Sequence, residues 1–506
     1  MEKKVIIIGG GITGLSAGCY LRMNGYPTSV FEMHDRVGGV CTGWTRKGYT
    51  IDGAMDWLVG TKAGKSFYSI WEELGALQGR TVVDHEQFMR VEGSGGKVLV
   101  IYCDADRLEQ HMKELAPEDA KAIEEFTDAV RGFTKFKIPW SKAPELISLV
   151  DRLKMVKMLP QLLTLRKWTN RTTADFCSHF RNPFLREALS AAFVRDMDIA
   201  TFFMLMTLAW LHQKMAGYPV GGALELARAI ERRYLDLGGE IHCSSRVEKI
   251  LVENNKAVGI RLADGTEHRS DIVVSAADGR TTIFEMLEGK YLDARIRGYY
   301  ENPQLFPPLI YIGLGVARAF DDVPPSVMGL NFPLEEPLEI AGRQHRRMDV
   351  QIYNFDKTMA PRGKTVLKVQ YNTEYDYWKK LREEPERYKA EKEKIADQVV
   401  ARLDKRFPGL AAKVEMRDVA TPITWERYTG NWRGSYMGWS IAKWSLMGKR
   451  MSKTLPGLDN FYMAGQWVEP GGGLPTAAMS GRNVTQIICN KDKKTFTTTK
   501  QPATKP

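Results

Sequence analysis

The sequence predicts an α/β protein in which one domain is assembled from three distant stretches, and a second domain of mixed sheet carries a helical insert. Three observations lead there. The run Val5–Ile8 is four consecutive β-branched residues, and it passes at once into Gly9, Gly11 and Gly14 in G-x-G-x-x-G spacing and a helical pattern through Leu15, Cys19 and Leu21. Short strands and glycine turns of the same kind recur at 217–280 and again at 455–488. Long helical or mixed segments separate the three. The expected boundaries are 1–75, 217–292 and 455–490 for the first domain, 76–216 and 293–454 for the second, with a disordered basic tail over 491–506.

Taken in order, residues 28–32 read as the second strand of a βαβ unit. Gly93–Gly96 reads as a hairpin turn between strands at 88–91 and 98–102. From about 105 to 235 the pattern is mostly helical, broken by Pro117, Pro139, Pro160 and Pro183. Residues 199–211 are apolar on every face, which fits a buried helix whose inner side lines an apolar tunnel. Strands are expected at 238–241 and 246–252, a hairpin near Asp264 and Gly265, and a buried strand at 272–274. Further strands are expected at 309–316, 348–354 and 366–371, then a charged surface helix over 385–406 and a short strand at 460–463. The tail holds five lysines and one large apolar residue, Phe496, too little to build a core.

Composition narrows the function. Of 506 residues, 43% are hydrophobic and 26% charged, as in ordinary globular proteins. Six cysteines with no C-x-x-C pair argue against a disulfide or zinc scaffold and for a reducing compartment. Eight histidines without H-E-x-x-H give metal hydrolysis no support, and no metal is expected. The net charge of +11 comes without interleaved basic and aromatic blocks, so nucleic acid is not expected as a partner. The 13-residue apolar run at 199–211 is too short to span a bilayer, and no secretory leader is read at the start.

The glycine motif gains weight from its setting after a buried strand, before a helix, and 18 residues ahead of Glu32. Gly9 permits the tight turn, Gly11 lets a pyrophosphate approach the backbone, and Gly14 lets helix and strand pack closely. The helix N-terminus adds free N–H groups and a partial positive charge. Glu32 would accept both ribose hydroxyls of an adenosine and repel a 2′-phosphate.

After Glu32 comes Asp35-Arg36-Val37-Gly38-Gly39, and later Gly48-Tyr49-Thr50-Ile51-Asp52-Gly53. These residues resemble the phytoene desaturase branch of the flavin amine oxidase superfamily. Val40 stands where many members carry Arg or Lys. The likeness returns at Tyr218–Gly222, at 246–250 and 272–278, and at Met463-Ala464-Gly465-Gln466-Trp467-Val468-Glu469-Pro470-Gly471-Gly472-Gly473-Leu474-Pro475-Thr476. The last stretch is similar to the C-terminal signature of carotenoid desaturases, isomerases and retinol saturases. The resemblance implies a Rossmann-type domain binding non-covalent FAD. It places cofactor contacts at Gly9, Gly11, Thr13, Gly14, Glu32, Arg36, Gly38, Gly39, Val247, Ala277, Gly465, Gln466, Gly473, Leu474 and Thr476.

It also implies an oxidoreductase working on C–C or C=C bonds of a long polyene or isoprenoid, as desaturase, saturase or redox-neutral isomerase. Glu469 is the candidate base by its place before the glycine turn, and Cys41 is a small residue near the ring. Trp425, Tyr428, Trp432, Tyr436, Trp439 and Trp444 would form a cage in an amine oxidase, a channel wall in a polyene enzyme, or simple core. A non-catalytic carrier resembling the GDP dissociation inhibitors is disfavoured by the intact glycines. With one phosphate cradle, nicotinamide cofactors are not expected as direct partners. The oligomeric state is left open. A cytoplasmic enzyme is expected, peripheral on an anionic membrane. Its contact there would be the insert, where Lys142, Arg152, Lys154, Lys157, Arg166 and Lys167 alternate with apolar residues.

Overall fold

The computed structural model describes residues 2–136, 141–156, 166–194, 199–440, 451–469 and 471–498. Five parallel strands form the first sheet, in the order Glu240–His242, Thr28–Phe31, Val5–Ile8, Ile272–Ser275, Phe461–Met463. All three stretches therefore contribute strands to one sheet. The central strand Val5–Ile8 is buried throughout, and its alternate residues serve different layers. Val5 and Ile7 pack under the helix side with Leu15 and Leu21, whereas Ile6 and Ile8 pack with Val247, Ile250 and Ile260 of a three-stranded antiparallel layer. A strand covered on both faces needs apolar side chains in both directions, hence the unbroken β-branched run.

The helices Ile12–Met23 and Leu474–Lys491 lie against each other so closely that a Cβ on Gly481 would come within 2.5 Å of the Ala17 backbone. Ser16 Oγ donates to Ala478 O at 2.7 Å across this contact.

The second domain centres on a seven-stranded mixed sheet, ordered Val414–Ala420, Leu309–Val316, Thr365–Asn372, Arg343–Ile352, Leu330–Ile340, Gln87–Glu92, Val98–Tyr102. Among the described residues its one parallel junction joins Leu330–Ile340 to Gln87–Glu92. The helix Pro385–Arg406 covers one face through Ile395, Val399 and Leu403 against Ile310, Ile312 and Leu314. Two strands escaped the sequence reading. Leu330–Ile340 contains Pro333, Glu335, Glu336 and Pro337, which hide its period, and a register irregularity between Pro333 and Leu338 accommodates them. Val414–Ala420 is a short edge strand with alternating charges.

The insert supplies the helices Ala105–Leu115, Ala120–Phe133, Leu149–Val156, Thr173–Ser178, Pro183–Phe193 and Thr201–His212. Pro183 sits in the first turn of its helix behind an Asn182 cap, a position proline tolerates. Pro139 and Pro160 lie outside the described residues.

The expected disordered tail is corrected over 491–498. Lys491 ends the last helix, Asp492 accepts from Tyr26 Oη at 2.9 Å, and Thr497 exchanges hydrogen bonds with Asn24 at 2.8 and 2.9 Å. The Phe496 ring lies 5.9 Å from Tyr20 and 4.9 Å from the Arg482 guanidinium. Composition said nothing of these docking partners, which come from distant parts of the chain. Phe496→Ala should cost about 1 kcal/mol of stability. Removing residues 492–506 should cost more, because Asp492 and Thr497 go too. Urea unfolding followed by fluorescence checks both, and unchanged midpoints would return the tail to disorder.

Candidate functional site

One large cavity, 2130 Å³, runs between the two domains. It is roughly twice the ~300–1,000 Å³ of an ordinary small-molecule site, room for a dinucleotide and a second ligand. The chain builds it from backbone first. At one wall Gly9, Gly11, Ile12 and Thr13 open the first helix, and facing them Gly471, Gly472, Gly473, Leu474 and Thr476 open the last. Neither helix N-terminus is capped by a side chain: Gly11 and Gly473 hold the cap positions. Their first N–H groups are left for a ligand. Thr13 Oγ1 donates to Ala477 O at 3.1 Å and ties the two starts together. Gly471, Gly472 and Gly473 have φ of +112°, +61° and +81°, so a side chain anywhere in this turn would strain it.

Gly38 and Gly39 brace the first loop, with Gly38 N donating to Gly10 O at 2.9 Å. Gly14 does not reach the cavity. It sits at the helix–strand contact, where a Cβ would lie 1.9 Å from Gly9 O. Glu32 is 6% exposed and faces the cavity, accepting from Gly10 N at 2.7 Å and His34 N at 2.8 Å. Burial pushes its carboxyl above the ordinary value, against the pull of the His34 and Gly10 N–H groups. Val247 and Ala277 line the same end beside Met33 and Arg246. Asp278 is there too, its carboxyl pushed up to about 6 by burial although Thr281 and Trp432 N–H groups bond it at 2.8 and 2.9 Å.

Arg36 is elsewhere. Its guanidinium pairs with Asp35 at 3.0 Å on the outer surface and is absent from the cavity lining, because an acid one residue away captures it. Val40 and Cys41 do line the cavity, and Cys41 Sγ donates to Ala223 O at 3.2 Å with its thiol held protonated by burial.

Beyond the glycine turn the wall becomes apolar. Along Thr201–His212 the residues Phe202, Phe203, Met206 and Trp210 face the cavity, while Leu205, Leu208 and Ala209 pack into the core. Those spacings of 1, 3 and 4 are one side of a helix. Phe136 and Phe193 extend the surface. Of the aromatic group singled out in the sequence, only Tyr436 lines the cavity among the described residues. Trp425 packs on Trp44 and Tyr311; Trp432 and Trp439 stack around Trp467 and Tyr300; Tyr428 meets His34 at the surface. Trp444 lies outside the described residues.

Glu469 and Gln466 both reach the cavity. Gln466 Nε2 donates to Asn431 Oδ1 at 3.3 Å. Glu469 is 6% exposed, 2.6 Å from Lys453 Nζ, and accepts from Asn483 Nδ2 at 3.1 Å. Sequence reasoning missed Lys453 and Asn483: a lone lysine before a strand and an asparagine inside a helix carry no local signature.

The arrangement fits FAD on its own geometry: a buried acid for ribose hydroxyls, two uncapped helix N-termini for phosphates and ring, and a side-chain-free turn for a flat ring system. Replacing Glu32 with Gln should weaken FAD retention about 10- to 100-fold, the ~1.5–3 kcal/mol of hydrogen bonds to a charged group. Glu32→Lys should abolish retention, read as flavin absorbance after dialysis; a fully yellow Lys variant would overturn the assignment.

The family model described as flavin containing amine oxidoreductase matches residues 12–489. Among curated proteins, the chloroplastic prolycopene isomerase of Daucus carota is 25% identical over 95% of this chain and 79% of its own length. A neurosporene-forming phytoene desaturase of Rhodobacter capsulatus is 26% identical over 97% of this chain and 94% of that protein. Among solved structures, an oxidoreductase from Methanosarcina mazei superposes with a TM-score of 0.59 at 18% identity, covering 96% of this chain and all of the other.

Proposed function

This chain belongs to the flavin-containing amine oxidoreductases, and we propose that within that family it acts on C–C or C=C bonds of a long apolar polyene or isoprenoid. It is an FAD-dependent oxidoreductase. When bound, FAD supplies two-electron hydride chemistry. The protein's residues do the rest. Glu32 and the uncapped start of the first helix would hold the adenosine and pyrophosphate. The N-terminus of Leu474–Lys491 would favour negative charge on the ring, at about 0.3–1 kcal/mol. Glu469 would hold the proton leaving, or entering, the carbon next to the hydride carbon.

What carries the reading is the apolar wall of Phe202, Phe203, Met206 and Trp210, which continues the cavity away from the glycine turn. It suits a bulky hydrocarbon, and the names of the carrot and Rhodobacter relatives are consistent with one. An amine oxidase would want paired aromatics, and here Trp425, Trp432 and Trp439 are spent on core packing. A redox-neutral isomerase or a saturase remains a second reading, favoured by the likeness to the prolycopene isomerase.

The test uses FAD-loaded protein, kept anaerobic, with phytoene or poly-cis-lycopene in phosphatidylcholine vesicles. Bleaching of the flavin with a more unsaturated product marks a desaturase, and an all-trans product without net bleaching marks an isomerase. NADH should leave the flavin oxidised. Bleaching by putrescine and by neither polyene would sink the proposal.

We also place the substrate entrance on an anionic membrane. On Leu149–Val156 the side chains of Leu149, Val150 and Leu153 are 77%, 60% and 71% exposed, and the adjoining Pro144 and Ile147 line the cavity. An exposed apolar ridge beside an apolar entrance fits an interfacial helix. Two of the cations expected at this surface are paired within the protein, Lys142 with Asp151 at 2.7 Å and Lys167 with Glu125 at 2.9 Å. Lys157 lies outside the described residues. The apolar ridge therefore carries more of the proposed contact than charge does. Among the described residues no helix is long and apolar enough to cross a membrane. Wild type should float with liposomes containing anionic lipid, and a Leu149→Ser, Val150→Ser, Leu153→Ser variant should stay at the bottom; equal flotation would make this helix an ordinary cap.

A further inference from the structure

Lys453 is the least expected side chain in the cavity region. It is 3% exposed, and its ammonium has two carboxylate partners, Glu469 Oε1 at 2.6 Å and Glu145 Oε1 at 2.7 Å. The two acids come from different parts of the chain: Glu469 from the turn that precedes the last helix, Glu145 from the middle of the insert, between Ala120–Phe133 and Leu149–Val156. Both line the cavity, and their exposures differ: 7% for the Glu469 side chain and 40% for that of Glu145. An acceptor, a donor and an acceptor thus stand in line from the flavin-side turn to the entrance.

The inner end is fixed. Asn483 is 2% exposed, and its Nδ2 donates to Glu469 Oε1 at 3.1 Å. Its Oδ1 is buried and accepts no hydrogen bond from the described residues. Turning the amide over would set oxygen against carboxylate, so the geometry keeps the acceptor lone pairs for a donor on a bound molecule. The outer end is fixed as well. Ser141 O accepts from Arg482 Nη1 at 2.8 Å and Gln486 Nε2 at 2.9 Å, and Ala143 N donates to Gln486 Oε1 at 2.6 Å. The last helix therefore holds the segment carrying Glu145 in place.

A purely structural cation here needs one carboxylate. A second acid links a closed site to a wetter one, which structure alone does not require. We propose that Glu469, Lys453 and Glu145 form a proton path between the reaction site and the cavity mouth, with Lys453 and Glu145 acting through Glu469. The proposal rests on the reading of Glu469 as the proton-holding group. The balance closes. The substrate gives a hydride to FAD and a proton to Glu469, and a C=C bond forms. Lys453 passes one of its protons to Glu145 and takes the one on Glu469. Glu145 then releases its proton to water, which leaves both carboxylates ionised and the lysine charged.

The test avoids the unidentified substrate. FAD-loaded enzyme is reduced anaerobically with a stoichiometric amount of dithionite and oxidised by ferricenium, with flavin absorbance and a pH-indicator dye followed together in H2O and D2O. In wild type, the proton that reduced flavin sheds on oxidation would leave by the same path as the substrate's, so its release should track flavin oxidation. Glu145→Gln and Lys453→Met should slow proton release at least tenfold and raise its solvent isotope effect, and Lys453→Arg should slow it as well, because a guanidinium keeps the charge but does not give up a proton. A solely structural Lys453 would alter FAD content or stability and leave the isotope effect alone. Should Lys453→Met fail to fold, Glu145→Gln decides by itself, its side chain being partly exposed. Wild-type rates and isotope effects in Glu145→Gln would overturn the path, whatever the polyene assay gives. Intact relay behaviour with no polyene turnover would instead overturn the proposed function.

Discussion

The close contact between the first and last helices is the constraint on which the site depends. Residues 12–23 and 474–491 are separated by almost the whole chain, yet Gly481 lets them touch at backbone distance and Ser16 and Thr13 bond across the seam. Two helix starts are thereby brought to one cavity wall, each left uncapped by a glycine. In isolation a glycine at the cap position is a small defect, costing roughly a few tenths of a kcal/mol against a good side-chain cap. Two of them facing one cavity make a site for an anionic dinucleotide instead. The discontinuous sheet follows from the same need, since the last stretch must return beside the first to supply the second helix.

This explains what was legible in the sequence. The strand Val5–Ile8, its glycines and Glu32 form a local pattern, because each part does its work within thirty residues of the others. The all-apolar helix Thr201–His212 was legible too, since a helix lined by a cavity on one side and by core on the other has no polar face to show. Leu330–Ile340 was hidden because its two prolines sit at an irregularity that only the register to Arg343–Ile352 reveals. Lys453, Glu145 and Asn483 meet only through tertiary structure, and no spacing in the sequence links them. Arg36 fails for a simpler reason: a motif fixes a backbone position, and Asp35 decides where the guanidinium goes.

The aromatic group makes the same point about packing. Spacings of three to five residues between Trp425 and Trp444 serve a cage, a channel or a core equally well. The structure resolves them by partner. Trp439 Nε1 donates to Trp467 O at 2.9 Å and its ring meets Tyr300 and Trp467, so it belongs to the layer behind the first sheet. Among the described residues of the group, the ring that reaches the cavity is Tyr436.

An apolar wall and a buried ion group in one cavity look opposed until the reaction is considered. A water-excluding surface strengthens every electrostatic interaction inside it and keeps a hydrocarbon where it can react. It also removes the solvent that would carry protons away. Hydride chemistry on a C–C bond releases or consumes a proton beside the flavin, and a closed apolar cavity offers that proton no exit of its own. Polar side chains are costly in such a place unless each has a partner. Glu469 and Lys453 each have partners: Asn483 holds one end, and Glu145 reaches the wetter entrance. The same last helix that starts at the ring side clamps residues 141 and 143 near that entrance. Cofactor wall, Glu469 and the segment carrying Glu145 are therefore all held by one helix.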